Sequence, residues 1–469
     1  MEAIEFSNHQ IQAKDELDAF LQIEGPAVFI LKGYAGTGKT TLLQHVAIQL
    51  RNEEKDFELL APTGRAAAVL RAKTGLKTST IHSSLYQFKD IDGEPEDPKK
   101  DLAEDAYGQM RLIFSARRIN PKMRKIFIVD EASMVGDANT EATSYAHFGS
   151  GHLLTDLMTM IGDNKLILSG DPCQLPPIGM EISPALDENW FRQQGRIVRS
   201  FEMTQILRQK VHNPILKTAT ALRQELAKST HPKWVKLPAS SAAEIHLHSY
   251  EQMKVHYLAH IADFGHDDSI AVCSSNYNVK DINELVRQRI HGNANAPLQK
   301  GDLLMVSQNN YRVPLTNGDF VEITHLGESR IHCGMYFQEV QVEAKLTGLR
   351  HQTLLCLEPL QNGSPNLSND QQRSLMIDFS RRMRAIEIKP KSPEFFDAML
   401  TDPFLNSLRA NYGYAVTCHK SQGGEWDHVF FFLNKGMYVQ SPKSLLRWWY
   451  TGVTRAKEHL HLVQDWWIL

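Results

Sequence analysis

A glycine-rich loop near the start of the chain has the residue types and spacing of a phosphate-binding site. Residues 33–40 read Gly-Tyr-Ala-Gly-Thr-Gly-Lys-Thr and match the pattern G-x-x-x-x-G-K-[ST]. The glycines let backbone N–H groups converge on phosphate oxygens, and the helix expected after the loop adds its positive end. A chance match in a flexible loop is the weaker alternative, because an apolar run precedes the loop and a helical stretch follows it. The pattern predicts that Lys39 reaches the β- and γ-phosphates of ATP and that Thr40 holds Mg²⁺. The nucleotide contacts expected in this stretch are Gly33, Gly36, Thr37, Gly38, Lys39, Thr40 and Thr41.

Two acidic residues and one amide follow later apolar runs and suit the same chemistry. Asp130 can complete a Mg²⁺ shell, and Glu131 beside it can polarise the attacking water. Without the phosphate loop, a solvated strand end would be the better interpretation of this pair. Gln174, in Gly-Asp-Pro-Cys-Gln-Leu-Pro-Pro, carries an uncharged amide that can bond both the γ-phosphate and the water, and so distinguish ATP from ADP. A proline-rich turn without a ligand is the alternative for this motif.

Two arginines are candidates for stabilising the charge that builds on a transferred phosphoryl group. Arg208 lies in Leu-Arg-Gln, and Arg455 lies in Thr-Gly-Val-Thr-Arg-Ala-Lys. A planar guanidinium can bind the γ-phosphate oxygens through two parallel hydrogen bonds. Taken alone, each arginine is more typical of an ordinary surface side chain, so neither position by itself predicts a catalytic role.

The candidate residues follow short apolar runs, which are typical of strands buried on both faces of a parallel sheet. Helical stretches at 41–51 and 65–72 separate the first runs. Strands that alternate with helices predict an α/β domain whose functional residues lie at the carboxyl ends of the strands. The runs that predict the first sheet are Ala27–Leu31, Leu59–Ala61, Ile126–Val129 and Leu166–Leu168. Those that predict a second α/β unit are Ile270–Cys273, Tyr414–Thr417, Val429–Leu433 and His459–Val463.

Two insertions interrupt the α/β pattern. Residues 301–405 hold short alternating stretches punctuated by Asn-Gly-Asp and Asn-Gly-Ser, and predict a small β-rich insertion. Residues 86–120 include two apolar arms joined by an acidic connection, and predict a hairpin. The first α/β domain is then expected at 1–200, and the second at 201–300 and 406–469. The expected fold class is α/β, with two domains built on parallel sheets and two small insertions.

Composition restricts the function only weakly. Charged residues make up 22% of the 469-residue chain and the formal net charge is −3, so a nucleic-acid contact would need a locally charged groove. Five scattered cysteines without a Cys-x-x-Cys pair argue against a disulfide framework or a cysteine zinc site, and favour a reducing compartment. The N-terminal sequence lacks the pattern of a signal peptide, and the apolar runs are too short to span a bilayer. We therefore expect a cytoplasmic protein without membrane contact.

Taken in order, the motifs resemble those of superfamily 1 helicases, specifically the RecD-like and Dda-like branch that moves 5′→3′. The resemblance rests on APTGRAA from Ala61, STIHS from Ser79, VDEASM and GDPCQLPPIG, and above all on HKSQG together with GVTRAK. It implies two RecA-like domains with Mg-ATP between them. It also implies that Gln10 reads the adenine. The residues it expects the second domain to supply across the cleft are Arg208, Arg455, Gly424 and Glu425.

The family further implies that single-stranded DNA lies across the tops of both domains. Backbone amides and hydroxyls would hold the phosphates with little sequence preference, and stacking on aromatic rings would add to them. Without the flanking motifs, the two histidines among these residues would be better interpreted as structural. The expected contacts are Pro62, Thr63, Arg65, His82 and Ser83 on the first domain, and Asn276, Thr417, His419, Lys420 and Ser421 on the second.

Three functions remain open at this level. The first is a 5′→3′ DNA helicase, bacterial or phage-like, that acts on single strands and duplex junctions. The second is an enzyme of the same fold that acts on RNA, and the third is an ATP-switched protein that grips strands without unwinding them. In a helicase, the hairpin at 86–120 would part the strands, with Phe88 and Ile91 stacking on the terminal base pair. A solvated loop without a role is the alternative for the hairpin.

Overall fold

The computed structural model describes residues 6–92, 111–120, 124–139, 146–206, 213–364, 366–390 and 392–469. Strands and helices are numbered here in chain order. The strands are β1 (Ala27–Gly33), β2 (Phe57–Ala61), β3 (Thr78–Thr80), β4 (Tyr86–Asp92), β5 (Arg111–Ala116), β6 (Ile126–Val129), β7 (Ala146–Phe148), β8 (Lys165–Gly170), β9 (Ile197–Met203), β10 (Ile245–His248), β11 (Ser269–Cys273), β12 (Leu303–Val306), β13 (Phe320–His332), β14 (Met335–Ala344), β15 (Arg350–Cys356), β16 (Ala410–Tyr412), β17 (Ala415–Thr417), β18 (Trp426–Phe432) and β19 (Ala456–Val463).

Many of the helices begin at a side chain that caps the first turn. Thr63, Thr80 and Thr417 each end a strand or the loop after it, and each accepts a hydrogen bond from the N–H three residues on. The chain therefore turns from strand to helix at the sheet edge where function is expected. The helices are α1 (Asn8–Leu21), α2 (Lys39–Asn52), α3 (Gly64–Thr74), α4 (Ile81–Leu85), α5 (Leu153–Ile161), α6 (Glu188–Gln193), α7 (Pro214–Leu226), α8 (Tyr250–Phe264), α9 (Asn276–His291), α10 (Glu358–Asn362), α11 (Asn369–Ala385), α12 (Pro393–Thr401), α13 (Cys418–Ser421) and α14 (Pro442–Val453).

The first sheet is parallel and has the strand order β3-β2-β6-β8-β1-β9. The residues of β1 from Ala27 to Leu31 are completely buried, as an apolar run covered on both faces should be. The carboxyl ends of β1, β6 and β8 meet at one edge, which brings the phosphate loop, Asp130 and Asp171 together. The strands predicted from the apolar runs are confirmed.

The second sheet is also parallel, with the order β10-β19-β18-β11-β17. Its core includes the buried aromatic residues Trp448 and Trp449 of α14, the helix that leads into β19. The α/β fold class with two parallel sheets is therefore confirmed. Among the helices of the described residues, none has the length and apolar content needed to cross a membrane.

The insertion forms an antiparallel sheet of order β15-β14-β13-β12-β16. Three helices, α10 to α12, lie between β15 and β16, and the β-rich pattern did not predict them. The limits 1–200, 201–300, 301–405 and 406–469 stay predictions. Strand β9 spans the limit at residue 200 and pairs within the first sheet, and β16, which lies beyond residue 405, pairs within the antiparallel sheet of the insertion.

The predicted hairpin has two paired arms, since β4 and β5 run antiparallel with Tyr86 opposite Ala116. The acidic connection at 93–110 and the side chain of Ile91 lie outside the described residues. The expectation for Phe88 needs correction. Its ring packs against Phe114 and Phe396, with centroids 5.4 and 4.8 Å away, so it is engaged within the protein and not poised to stack on a base pair.

Candidate nucleotide site and strand groove

The phosphate loop connects β1 to α2 and depends on its glycines. Gly36 and Gly38 have φ angles of 78° and 83°, in the left-handed region that other residues rarely adopt. A Cβ at Gly33 would lie 2.8 Å from Cγ of Lys39, so only glycine leaves room for that side chain. Lys39 Nζ donates to the carbonyl oxygens of Gly33 and Tyr34, at 2.7 and 3.3 Å. The ammonium group is therefore held against the loop that is expected to receive phosphates.

Thr40 and Asp130, the two expected Mg²⁺ ligands, are adjacent in space although 90 residues apart. The Thr40 hydroxyl donates to Asp130 Oδ2 at 3.1 Å, and Asp130 Oδ1 accepts from the N–H of Glu131 at 3.0 Å. A hydroxyl and a carboxylate are the hard oxygen donors that Mg²⁺ prefers beside phosphate. The residues present therefore fit the metal that the motif implies.

Glu131 is half-buried beside two other carboxylates. Burial raises its pKa, the charges of Asp130 and Asp171 raise it further, and Arg455 and Lys39 oppose the rise. Its backbone has a φ of 54°, in the left-handed region. A carboxylate with a raised pKa is a stronger base than an exposed one, which suits the proton-accepting role expected of this residue.

Asp171 is a component of the site for which the sequence motif suggested no role. It is completely buried, and that burial raises its pKa, against the opposing effects of Lys39 and of a hydrogen bond from Tyr450. The Tyr450 hydroxyl donates to Asp171 Oδ2 at 2.7 Å and accepts from the N–H of Ala35 at 3.1 Å. One side chain of α14 therefore contacts both the phosphate loop and the residue after β8. Asp171 lies within the GDPCQLPPIG motif and Tyr450 directly precedes the motif that contains Arg455, but nothing in the sequence showed that the two residues meet.

Gln174 is buried and lines a cavity of about 200 Å³ with Asp171. Its Oε1 has no hydrogen-bond partner within the part of the chain that the structure describes. An unpartnered buried amide oxygen is unfavourable by about 1–3 kcal/mol, so a polar ligand or a water is expected there. This observation fits the predicted role of Gln174 toward a water and a phosphate.

Arg455 is buried at the junction of the two sheets. Its guanidinium donates to the carbonyl oxygens of Thr451 and Gly424 and to the Thr454 hydroxyl, at 2.9, 3.1 and 3.1 Å. It is also close enough to lower the pKa values of Glu131 and Asp171. Arg208, the other candidate arginine, lies outside the described residues.

Two further residues that were expected to contact the nucleotide are placed differently: one lies in another cavity and the other is engaged in a helix cap. Glu425 is exposed and lines a separate cavity of about 170 Å³, so the structure does not bring it to the phosphate loop. Gln10 is buried, and its Oε1 accepts a hydrogen bond from the N–H of Ser7 in the capping box of α1. An adenine contact by Gln10 would have to use its amide NH₂ or break this cap.

A groove crosses both parallel-sheet domains above the nucleotide site, and we call it the strand groove. It consists of two adjoining cavities of about 450 and 360 Å³, and Lys420 lines both. Thr63, Arg65, His82 and His419 line the larger cavity. Asn276 and Thr417 line the smaller one. The structure therefore gathers seven of the ten expected strand contacts.

The three remaining expected contacts differ in position. Pro62 is half-buried directly before Thr63, and Ser83 is exposed in the first turn of α4. Ser421 is completely buried, and its hydroxyl donates to the carbonyl oxygen of Cys418 at 2.8 Å. The structure therefore does not bring the Ser421 side chain to the strand groove.

The strand groove also contains hydrophobic and weakly basic groups. Burial lowers the pKa values of His82, His419 and Lys420. The His82 ring lies 5.6 Å from the rings of both Tyr86 and Phe148, which line the larger cavity with it. Aromatic faces beside cationic groups are the combination that single-strand binding uses.

Arg65 has a role that the motif did not predict. Its guanidinium lies between the rings of Phe320 and Trp426, 4.7 and 4.4 Å from their centroids, and burial lowers its pKa to about 10. A Cβ on Gly424 would come within 2.6 Å of its Nε, which explains the glycine there. Arg65 therefore lines the strand groove and also joins the first domain to the antiparallel insertion and the second domain.

A phosphate loop at the junction of two parallel sheets, with a helix from the second sheet in contact with it, defines a P-loop nucleotide-binding fold. The AAA domain family matches residues 12–235, and the UvrD-like helicase C-terminal domain family matches residues 412–463. The chain is 23% identical over 451 residues to the ATP-dependent RecD2 DNA helicase of Deinococcus radiodurans. The aligned region covers 95% of this chain and 48% of that protein.

Its fold is similar to that of the Pif1 helicase from Bacteroides in complex with ADP-AlF3 and single-stranded DNA. The TM-score is 0.51 at 16% identity, over 100% of this chain and 94% of the other. The chain is therefore similar to an AAA domain family, to a helicase C-terminal domain family and to a DNA helicase in sequence, and to a Pif1 helicase in fold. The chain spans about half the length of the RecD2 relative that it matches.

Proposed function

We propose that the protein is an ATP-dependent translocase on single-stranded DNA and a 5′→3′ DNA helicase. The observation that carries this proposal is a direct connection between the nucleotide site and the strand groove. Leu175, next to Gln174, donates its N–H to Thr451 at 2.9 Å and accepts from Gln422 Nε2 at 3.0 Å. Gln422 lines the strand groove. A movement of Gln174 in response to the γ-phosphate can therefore be transmitted to the bound strand through Leu175.

In the proposed hydrolysis, the chain's own groups position and activate water. Lys39 exchanges its loop carbonyl partners for phosphate oxygens, while Thr40 and Asp130 hold Mg²⁺. The ion would neutralise charge on the phosphates. Glu131 accepts the proton of the attacking water, and Gln174 orients that water.

The second domain completes the site when the cleft is closed. Arg455 is proposed to turn from its carbonyl partners toward the charge that develops on the phosphoryl oxygens. Tyr450 holds the closed arrangement through Ala35 and Asp171. Release of phosphate removes the contacts that favour closure, so the cleft opens and the two halves of the strand groove move relative to each other.

In this proposal, the strand groove grips the backbone of the DNA on both sides of the cleft. The groups proposed to do so are Thr63, His82, Thr417, His419 and Lys420, with Ser83 and Asn276 at the margins. Contacts of this kind favour binding that is insensitive to sequence. Alternating grip by the two domains during opening and closing then moves the protein along the strand.

Unwinding of paired substrates with either a 5′ or a 3′ overhang tests the proposal. We expect strand separation only with the 5′ overhang, and none by Lys39→Ala. Preference for the 3′ overhang would contradict the polarity. ATP hydrolysis stimulated by single strands without any strand displacement would favour the ATP-switched binding protein. Stronger stimulation by RNA than by DNA would favour the RNA-directed alternative.

A further inference from the structure

Seven histidines lie side by side on the second sheet and on the helix that covers it. The sheet contributes five of them, on β10, β18 and β19, and α8 contributes two that are one helical turn apart. This histidine patch consists of His246, His248, His428, His459, His461, His256 and His260.

The strand register explains why the five sheet histidines share one face. Residues two apart on a strand point the same way, and β10, β19 and β18 are neighbours. His246 pairs with His461, and His428 pairs with His459. On helix α8, which covers this face, the His256 ring lies 4.4 Å from the His248 ring, and the His260 ring lies 4.3 Å from the His428 ring. The imidazoles thus form two layers.

Ring nitrogens in this patch approach one another at the spacing of metal ligands. The distance is 3.2 Å from His248 Nε2 to His461 Nδ1, and 3.2 Å from His246 Nε2 to His459 Nδ1. A tetrahedral Zn²⁺ ion with Zn–N bonds of about 2.0–2.1 Å separates its ligand nitrogens by about 3.3 Å. Each pair therefore supplies one edge of such a site without movement of the strands.

The protonation of the rings is compatible with an ion at the first pair. His428 Nδ1 lies 3.4 Å from His461 Nε2. If His461 carries its proton on Nε2, it donates to His428 and leaves the Nδ1 lone pair facing His248. A proton on Nδ1 of His248 then leaves both facing nitrogens free to bind a metal, with both rings neutral.

Acidic side chains around the patch favour a bound cation. The carboxylates that act on the patch are Glu244 at His246, Asp263 and Asp268 at His260, and Asp427 at His428. His256 is exposed, which leaves a route of entry.

We propose that the histidine patch binds a divalent transition-metal ion of the zinc type on the edge formed by His248 and His461, and that the exposed His256 side chain turns toward this edge to become a third ligand. Neutral imidazoles select such borderline ions over Mg²⁺, so this site is chemically distinct from the phosphate loop. The ion joins β10, β19 and α8, and it stabilises the second domain by mass action.

Calorimetric titration of chelator-stripped protein with ZnCl₂ tests the proposal. In the described part of the chain, three potential ligand atoms lie within 4.8 Å of one another at two places outside the patch, His332–Cys333–Asp378 and His266–Asp267–Glu322. The titration therefore uses a Cys333→Ser/His266→Asn background. We expect at least one equivalent of Zn²⁺ to bind and the melting temperature to rise with it, whereas MgCl₂ without nucleotide has neither effect.

His256→Asn and His248→Asn should each weaken zinc binding at least tenfold. The matched control is His325→Asn/His351→Asn, on the antiparallel sheet, which should leave it unchanged. Because His256 is exposed, its replacement cannot remove the site by unfolding the domain, and circular dichroism checks the other variant. Absence of zinc binding, or equal affinity in the two patch variants and the background, would overturn the proposal.

Discussion

Replacing Tyr450 with phenylalanine removes a single oxygen atom from the junction of the two domains. That oxygen donates to the buried carboxylate of Asp171 and accepts from the phosphate loop at Ala35. Burial and the nearby Asp171 raise the pKa of Tyr450 well above its ordinary value, so the hydroxyl remains protonated and able to donate. Phenylalanine keeps the ring and its packing.

Tyr450→Phe should reduce the stability of the closed cleft by the value of a hydrogen bond to a charged group, about 1.5–3 kcal/mol. Since closure of the cleft precedes hydrolysis in the proposed cycle, this loss should appear in turnover. At about 1.4 kcal/mol per factor of ten, kcat should fall about 10- to 100-fold, with a smaller change in nucleotide affinity.

The pH profile supplies a second measurement. The hydrogen bond from Tyr450 lowers the pKa of Asp171, so its removal allows that pKa to rise further. Asp171 then stays protonated up to a higher pH, and the acid limb of the ATPase profile should move upward in Tyr450→Phe.

The assay is ATP hydrolysis stimulated by single-stranded DNA across pH 5–9, at about the same protein concentration for all variants. Tyr438→Phe is the matched control, because the Tyr438 hydroxyl donates to the carbonyl oxygen of Val235 at 2.6 Å, within the second domain. A kcat of Tyr450→Phe within about twofold of wild type, or an equal loss in Tyr438→Phe, would refute the reasoning.

Four further changes test other parts of the site. Glu131→Gln should bind ATP as wild type does but hydrolyse it at least about 100-fold more slowly, and loss of nucleotide binding would show that the two adjacent acids are misassigned. Arg455→Ala should lower kcat more than it weakens ATP binding, and equal losses would indicate a ground-state role. Lys420→Ala should reduce the slope of log binding constant against log salt concentration by about 0.7 for single-stranded DNA. The exposed control Lys300→Ala should leave this slope unchanged, and an unchanged slope in Lys420→Ala would show that Lys420 does not contact the strand. Replacing 93–110 with a short Gly-Ser turn should keep strand-stimulated hydrolysis but reduce duplex unwinding sharply, whereas unwinding at the wild-type rate would place the strand-separating element elsewhere.

The sequence alone was sufficient for the features that arise from contiguous residues. The phosphate loop, the strands before it and before Asp130, and the helices after Gly38 and Thr63 follow from local patterns of glycine, apolar and capping residues. The adjacency of Thr40 and Asp130 also followed, because parallel strands with buried faces place their carboxyl ends at one edge. The antiparallel arms of the hairpin and the β-rich insertion were recognisable for the same local reasons.

Tertiary structure decided which motif residues face a ligand and which hold the protein together. Arg65 and Phe88 both looked like nucleic-acid contacts, yet each packs against aromatic rings that are more than 200 residues away along the chain. Ser421 points inward, and Tyr450 meets Asp171 across the cleft. The histidine patch likewise exists only because three strands align in register beneath α8. Such contacts depend on the register and packing of distant segments, and a motif records the residue type at a position but not the neighbour that folding brings to it.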